Sequence, residues 1–223
     1  SVDGRPHLKQ IKPVLAAKKP VFVDKPVAGS LADAIELFRL AEEAGVPCFS
    51  SSTWRFTHGV REVNNGKIGQ VIGCVAYGPC ETEPHHPDLY WYGIHTVETL
   101  FAIMGTGCES VTRTTSDDAD VVVGKWRDGR IGIFRGDRPS KGQGFMAFGA
   151  DGIHHSGHPG GYPVLLKQII QFFKTGQVPV APQETIELFA FMSAADASKL
   201  AGGTPVKLAD VIEKAETKVD LRN

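Results

Sequence analysis

The chain has 223 residues, which is enough for one large domain or one and a half small ones. Hydrophobic residues make up 42% and charged residues 22%, and the net charge of −1 indicates neither a nucleic-acid groove nor an anionic membrane surface. No apolar run approaches the roughly 20 residues that a bilayer-spanning helix requires.

The first third of the chain alternates helix patterns with strand patterns. Residues His7–Ala17 place apolar side chains at helical spacing, and Pro20–Val23 predicts a short buried strand. Ser30 predicts the N-cap of a second helix, and Gly45 is placed to end that helix. Val46–Ser50 predicts the next strand. This order is typical of an α/β fold, in which helices connect the strands of a parallel sheet.

The rest of the chain predicts an α+β fold with a largely antiparallel sheet. Its predicted strands are Gln70–Tyr77, Glu109–Thr115, Asp120–Trp126, Arg130–Arg135 and Gly144–Gly149. Its predicted helices are Gly93–Met104, Pro163–Lys174, Thr185–Leu200 and Leu208–Ala215. Asp128-Gly129 is a strong signal for a tight turn between two of the strands. We place the domain boundary near residue 56, which gives domains 1–56 and 57–223.

The tripeptide Asp24-Lys25-Pro26 stands directly after the first predicted strand. Ligands of open α/β sheets bind outside the carboxyl ends of the strands, and the proline favours extended backbone at Lys25. The ammonium group of Lys25 offers three hydrogen-bond donors, which suit a substrate hydroxyl or a ribose hydroxyl. The alternative interpretation of the tripeptide alone is a solvated turn.

The segment Lys19–Ala28, followed by a capped helix and a strand, resembles the Gfo/Idh/MocA oxidoreductase family. In that family a short apolar strand usually runs into Glu-Lys-Pro, and Asp24 here replaces the glutamate. The resemblance extends to Ser1–His7, which is similar to the loop after the fourth strand of the family's first domain. It continues at Gly93–His95, where a helix begins, and at Gly161–Pro163, so it covers nearly the whole chain through short motifs.

The resemblance implies the C-terminal part of a Rossmann-like domain, followed by an α+β domain with an open, mostly antiparallel sheet. It implies oxidation or reduction, with NAD or NADP, of a hydroxyl or carbonyl group on a sugar, cyclitol or related small molecule. A homo-oligomer is also implied, because the open sheet commonly pairs with another subunit in this family.

The same resemblance gives roles to individual residues. Asp24, Lys25 and Pro26 are expected to contact the cofactor, with Lys25 also orienting the substrate hydroxyl. His95 is expected to be the general base that accepts the hydroxyl proton, which suits an imidazole. The family commonly has an aspartate four residues before this histidine, but Trp91 stands there. Another group must therefore set the tautomer of His95, or His95 is not the base.

Three further residues are expected to contact substrate. Arg55 follows the second strand at the mouth of the crevice and is suited to an anionic group, although packing at the domain junction is the alternative. Trp91 either stacks on a sugar ring or packs in the core or at an interface. Tyr162 belongs to the segment Gly161–Pro163, which resembles the family and leads into a late helix. No motif joins the serines around Ser52 to a histidine and an aspartate, so a serine hydrolase is not expected.

The glycine-rich turn that binds a dinucleotide pyrophosphate is not found. The nearest match begins at Gly105 and Gly107, but it follows a helix, whose C-terminal carbonyls repel phosphate. We expect these glycines to end that helix. We also expect the chain to be a fragment that starts after the fourth strand of its first domain, and to bind NAD(P) weakly or not at all by itself.

Two other functions are compatible with the sequence. One is a non-catalytic binding or assembly module built on the C-terminal domain, favoured by the missing glycine turn and by Trp91. The other is a metal enzyme that uses two histidine groups, both expected on loops, although no metal ligand is predicted. These groups are His85, His86 and His95, and His154, His155 and His158.

The four cysteines form no C-x-x-C pair, and three of them lie in or beside apolar stretches. This pattern favours reduced thiols and a cytoplasmic protein. Because the chain opens with Ser1 and not with Met, a removed export signal remains an alternative.

Overall fold

In a computed structural model, residues 3–157 and 161–222 are described. The helices are α1 (His7–Ala16), α2 (Leu31–Glu43), α3 (His58–Asn64), α4 (Gly93–Met104), α5 (Tyr162–Thr175), α6 (Pro182–Leu200) and α7 (Leu208–Asp220). The strands are β1 (Val21–Asp24), β2 (Cys48–Ser51), β3 (Val71–Pro79), β4 (Cys108–Thr115), β5 (Ala119–Trp126), β6 (Ile131–Asp137), β7 (Gly144–Gly149), β8 (Gly152–Ser156) and β9 (Val206–Lys207).

The first part of the chain folds as its sequence pattern predicts. Strands β1 and β2 pair in parallel, in a register that brings Asp24 opposite Ser51. Helix α2 connects them, and the backbone N–H of Asp33 donates to the Ser30 hydroxyl at 3.1 Å, which confirms the predicted N-cap. Because both strands end at the same edge, the residues after β1 and β2 come close together.

The second part contains a mixed seven-stranded sheet in the order β8-β7-β3-β6-β5-β4-β9. Its neighbours pair antiparallel except for β3 and β6, which run parallel. Helices α4 and α6 pack on one face of this sheet, and α4 is apolar on almost every side because it is nearly enclosed. The predicted fold class, an α/β part followed by an α+β part with a mostly antiparallel sheet, is therefore confirmed.

Some elements could not be predicted from the sequence pattern. Helix α3, a single 3-10 turn at Thr53–Phe56, and strands β8 and β9 were not predicted. His154 and His155 lie on β8, so the expectation that they occupy a loop is wrong. Strand β8 pairs with β7 along its whole length, which outweighs its low apolar content. His158, the third member of that group, lies outside the described residues.

The predicted turns at glycine are confirmed. Gly129 has a φ of +87° in the turn between β5 and β6, and Gly105 has a φ of +68° at the end of α4. Gly105 thus ends a helix, as expected, and does not open one toward a phosphate. Glycine fits these positions because a side chain would strain a backbone with positive φ.

Buried apolar side chains from both parts of the chain form one continuous core. Helix α2, from the first part, contacts both α6 and α7, from the second. The boundary near residue 56 remains a prediction. No helix among the described residues is long and apolar enough to cross a membrane. The four cysteines are buried with free thiols.

A fully buried guanidinium connects the sheet to its helical layer. Arg113, on β4, is ion-paired with Asp120 on β5 at 2.8 Å, with Asp196 on α6 at 2.6 Å and with Asp88 at 2.9 Å. Burial raises the pKa of Asp196 to about 6, although the nearby Arg113 opposes that shift. Asp120 also pairs with Arg138, and Asp88 also pairs with Lys199. Removing Arg113 should therefore leave the largely buried carboxylate of Asp196 without its cation, and each of the other two carboxylates with a single cation.

We therefore predict that Arg113→Met lowers the free energy of unfolding by about 3–5 kcal/mol, measured by urea denaturation at pH 7. The control is Arg130→Met, which removes a guanidinium paired with Asp128 near the surface and should cost less than about 1 kcal/mol. Equal, small losses for both variants would contradict the prediction.

Candidate active site

A cavity of about 360 Å³ lies at the carboxyl ends of β1 and β2, beside the start of α4. It is lined by Asp24, Lys25, Ser51, Ser52, Thr53, Trp91, Tyr92, His95, Tyr162 and Leu165. Its side chains thus come from strand ends, from the α4 entry and from the start of α5. This is the edge at which open α/β sheets bind ligands.

Lys25 enters this cavity without a carboxylate partner. Its ammonium nitrogen lies 5.8 Å from the centroid of the Tyr92 ring, a cation–π distance. In the described part of the chain, no ion pair or hydrogen bond from this nitrogen is found. Burial lowers the pKa of Lys25, and the charge of Asp24 opposes that shift only in part. Lys25 is therefore available for a ligand and for proton exchange.

His95 lies in the first turn of α4 and lines the same cavity. Its Nδ1 atom is 2.6 Å from the hydroxyl oxygen of Ser52, which follows β2. Burial lowers the pKa of His95 to about 3, with the nearby charge of Lys25 as a second cause. The imidazole is thus neutral at physiological pH, which is the state required of either a base or a neutral donor.

A buried ionic network underlies the site. Glu98, one turn after His95, accepts a hydrogen bond from the backbone N–H of Ser52 at 3.2 Å. Its other oxygen accepts one from Arg55 at 2.8 Å, and Arg55 also pairs with Glu184 on α6 at 2.6 Å. Burial raises the pKa of Glu98, and the charge of Arg55 opposes this shift. The network holds the chain after β2 against the start of α4.

Most of the sequence-predicted site residues meet in this cavity. Asp24, Lys25, Trp91, Tyr162 and His95 all line it.

Two predicted site residues lie outside the lining. The carbonyl of Pro26 accepts a hydrogen bond from Nδ1 of His7 at 2.9 Å. The guanidinium of Arg55 is engaged by Glu98 and Glu184, and its side chain is only 11% exposed. Its role in substrate binding stays a prediction, one that requires these ion pairs to open.

The described histidines of the two groups do not converge. The ring of His86 contacts Glu83 and Asp3, and His95 contacts Ser52. His154 lies near Glu62 on another element. No group of three or more His, Cys, Asp or Glu side chains that could hold a metal is present within residues 3–157 and 161–222.

Ser52, Thr53 and Glu98 were not predicted as site residues from the sequence. A carboxylate at Glu98, inside an otherwise apolar helix and three residues after His95, was the available signal. The contact between Ser52 and His95 spans 43 residues of sequence and follows from the docking of α4 on β2.

The contact between Ser52 and His95 does not have the geometry of a hydrolase. In a catalytic triad the serine contacts Nε2 and an acid contacts Nδ1. Here the serine takes the acid's place at Nδ1, and Ser52 is only 1% exposed. This geometry does not suit Ser52 to act as the nucleophile of a serine hydrolase.

A larger groove of about 580 Å³ lies between α2, α6 and α7, away from the strand ends. Its lining is apolar with a charged rim and includes no lysine or histidine. Lys25 and His95, which can exchange protons, thus line the smaller cavity at the strand ends.

Comparison with known proteins identifies a family that the first part of the chain resembles. Residues 1–52 match a family model described as "Oxidoreductase family, NAD-binding Rossmann fold". This model is that of the Gfo/Idh/MocA oxidoreductases, so the resemblance inferred from the sequence is confirmed, and the match covers the N-terminal part of the chain. The matched family binds NAD, in agreement with the expected cofactor.

Two curated relatives are similar over part of their length. Uncharacterized oxidoreductase YhhX of Escherichia coli is 31% identical over 111 residues, which cover 44% of this chain and 32% of that protein. A 2,7-anhydro-N-acetylneuraminate hydratase of Mediterraneibacter gnavus is 30% identical over 132 residues, covering 51% and 35%. The chain thus spans about a third of the length of the curated relatives that it matches.

The fold agrees with solved structures over most of the chain. A probable dehydrogenase from Thermotoga maritima superposes with a TM-score of 0.78 at 21% identity, covering 92% of this chain and 78% of that one. At this identity the likeness concerns the fold.

The low pKa of His95 predicts a specific acid sensitivity. In the unfolded chain a histidine takes up its proton near pH 6.5, but the folded protein resists uptake down to about pH 3. The unfolded state therefore binds more protons in this window, and stability should fall on acidification by up to about 1.4 kcal/mol per pH unit. Urea denaturation at several pH values measures this slope.

We expect His95→Gln to flatten the slope between pH 6.5 and pH 4, while His85→Gln leaves it unchanged because the side chain of His85 is 67% exposed. An unchanged slope in His95→Gln would mean that His95 is protonated in the folded protein.

Proposed function

We propose that this chain carries the reaction site of an NAD(P)-dependent oxidoreductase acting on a hydroxyl or carbonyl group of a sugar, cyclitol or related small molecule. One observation carries the proposal: Lys25 and His95 line one cavity at the carboxyl end of β1, within a chain whose first 52 residues match an NAD-binding family. A lysine amine that can exchange a proton and a neutral imidazole, both beside a strand end, can orient an oxygen and move its proton.

The residues at the cavity suit the nicotinamide end of a dinucleotide. Asp24 and Lys25 line the cavity and offer an acceptor and a donor to ribose hydroxyls, and Pro26 shapes the adjoining backbone. The buried hydroxyl of Thr53 has no hydrogen-bond partner among the described residues, which fits a site that a polar ligand completes. When bound, the nicotinamide supplies or accepts the hydride.

The chain's own residues hold the reacting group. Lys25 and His95 would contact the oxygen of the substrate, and they exclude water from it together with Trp91 and Tyr92. The aromatic faces of Trp91, Tyr92 and Tyr162 suit the apolar face of a sugar or cyclitol ring. These side chains contribute position and proton transfer, and the cofactor contributes the redox chemistry.

A second, more open cavity supports a substrate with several hydroxyl groups. It shares Tyr92 with the first cavity and is also lined by Glu81 and Gln143. Among the described residues, Oε2 of Glu81 and Nε2 of Gln143 are buried without hydrogen-bond partners. An acceptor and a donor left open in this way suit the hydroxyl groups of a polyol. The sialic-acid derivative in the name of one relative is a sugar of this kind.

We also propose that most of the affinity for the dinucleotide comes from chain outside residues 1–223. The family's glycine-rich turn has no counterpart in this sequence, and of the two glycines nearest to that pattern, Gly105 ends helix α4 and Gly107 directly precedes β4. Lys25 and its neighbours would then hold only the nicotinamide end. Under this proposal the chain by itself is inactive or nearly so.

The outer face of the large sheet supports self-association. The alternate residues of its strands that point away from α4 and α6 include Tyr77, Ile131 and Met146, which are 37%, 48% and 42% exposed. Ile153 on β8 is also exposed, at 62%. Exposed apolar side chains on one face of a sheet are typical of an interface, so we propose a homo-oligomer built through this sheet.

The proposed cofactor role is tested by calorimetric titration of NADH and NADPH into this chain and into a longer version that begins upstream in the same gene. We expect binding by the longer version and little binding by this chain. In the longer version, Lys25→Ala should lower kcat/KM by at least about 100-fold, because Lys25 contacts the reacting oxygen.

The control is Lys19→Ala, which removes an exposed lysine just before β1 and should leave kcat/KM unchanged. Failure of both versions to bind either nucleotide would contradict the oxidoreductase proposal and favour a non-catalytic assembly module.

The proposed interface is tested by sedimentation at several protein concentrations. Ile131→Glu combined with Met146→Glu should convert an oligomer to a monomer, because two charges would be buried in the apolar contact. Leu200→Glu is the control, since Leu200 is 88% exposed at the end of α6. A monomeric wild-type protein would contradict the proposal.

A further inference from the structure

The hydroxyl group of Ser52 lies between two nitrogen atoms. The backbone N–H of Trp54 donates to its oxygen at 3.2 Å, and Nδ1 of His95 lies 2.6 Å away. Ser52 is only 1% exposed, and its backbone N–H is held by Glu98. The serine is thus fixed at both its main chain and its side chain.

The donors and acceptors decide where the hydrogen atoms lie. A hydroxyl group donates once and accepts twice, and a neutral imidazole donates from one nitrogen and accepts at the other. If the Ser52 hydroxyl donates to Nδ1, both of its contacts are satisfied. If Nδ1 donates instead, the hydroxyl hydrogen needs another acceptor, and none contacts this oxygen among the described residues. A buried donor without an acceptor is unfavourable.

The remaining ring nitrogen is open to a ligand. Within residues 3–157 and 161–222, Nε2 of His95 has no hydrogen-bond partner, and it is not among their buried unpaired atoms. His95 lines the cavity, so this nitrogen is accessible from it.

We propose that Ser52 is a positioning residue that donates to Nδ1 of His95, fixes the hydrogen of the neutral ring on Nε2, and makes His95 a hydrogen-bond donor toward the reacting oxygen. In this tautomer the lone pair of the ring is on Nδ1, where Ser52 donates, so Nε2 has no lone pair with which to accept the substrate proton. Lys25 is then the group that exchanges the proton. This reverses the base role that the resemblance implies for His95, and the reversal rests on the proposed function.

The proton and electron balance of the reaction is simple under this assignment. In the direction of alcohol oxidation, the O–H proton moves to the neutral amine of Lys25, which becomes an ammonium. The C–H bond breaks with its electron pair, and hydride passes to NAD(P)⁺ as the C=O bond forms. His95 keeps its Nε2 hydrogen throughout and donates to the oxygen in both states. In the direction of reduction, Lys25 returns the proton to the oxygen.

The serine contact has the opposite effect to the aspartate that Trp91 replaces. A carboxylate at Nδ1 accepts that nitrogen's hydrogen and leaves Nε2 as an acceptor. A donating hydroxyl at Nδ1 leaves Nε2 as a donor. The role of the histidine therefore depends on whether its neighbour at Nδ1 accepts or donates the hydrogen bond.

The tautomer can be measured without cofactor or turnover. In protein labelled with ¹⁵N-histidine, long-range ¹H–¹⁵N spectra distinguish protonated from unprotonated ring nitrogens, and His95→Gln identifies the His95 signals by their loss. At pH 7 we expect Nδ1 of His95 to be unprotonated and Nε2 to be protonated. A protonated Nδ1 would overturn the proposal.

Variants then test whether Ser52 sets this state. We expect the Nδ1–H tautomer to appear in Ser52→Ala and the wild-type pattern to return in Ser52→Thr, which keeps a hydroxyl. Ser51→Ala is the matched control, because Ser51 is an equally buried neighbour whose hydroxyl donates to the Ser52 carbonyl. A wild-type pattern in Ser52→Ala would overturn the proposal. If Ser52→Ala does not fold, the wild-type spectrum still decides.

The pH profile of kcat/KM separates this inference from the proposed function. In a longer version with catalytic activity, one limb of the pH profile reports the titration of the group that exchanges the proton. This limb should persist in His95→Gln, because the glutamine amide is also a hydrogen-bond donor. It should be lost in Lys25→Met. Loss of that limb in His95→Gln would return the base role to His95. Failure of cofactor binding with the expected tautomer would contradict only the proposed function.

Discussion

The buried carboxylate of Glu98 is the interaction on which the candidate site depends. This side chain is almost fully enclosed, yet it accepts hydrogen bonds from the Ser52 backbone and from Arg55, which in turn pairs with Glu184. A charge in such a place is stable only when partners surround it. The result is a fixed distance between the end of β2 and the first turn of α4. His95 meets Ser52 because of that constraint, and Lys25 faces them from the end of the neighbouring strand.

The elements of regular pattern could be predicted from the sequence because their information is local. The N-cap at Ser30, the turn at Gly129 and the end of α4 at Gly105 all follow from chemistry within a few residues. Strand β8 could not be predicted in this way, because its histidines form a strand only through pairing with β7. The same division applies to the site. Lys25 and His95 could be found through short motifs, whereas Ser52 became visible only when α4 docked on β2.

The residue at position 91 illustrates what a family resemblance carries and what it does not. Trp91 lines the cavity and packs against the ring of His86, so it contributes surface where the family commonly has a carboxylate. The structure supplies another partner for His95 from a distant part of the sequence. The sequence shows that the aspartate is absent. Only the structure shows that Ser52 contacts Nδ1 of His95, and therefore which of the two groups donates the hydrogen bond. The low pKa of His95 agrees with this arrangement, because a carboxylate partner would raise it.

The proposed function requires that the cavity at Lys25 and His95 receives the nicotinamide of a dinucleotide. A crystal structure of the protein with NADH or NADPH, in the longest version that binds the cofactor, tests it most directly. We predict that the nicotinamide ring lies in this cavity, with Lys25 and His95 in contact with a substrate oxygen or the water that replaces it. A nicotinamide bound elsewhere, for example in the larger groove between α2, α6 and α7, would contradict it.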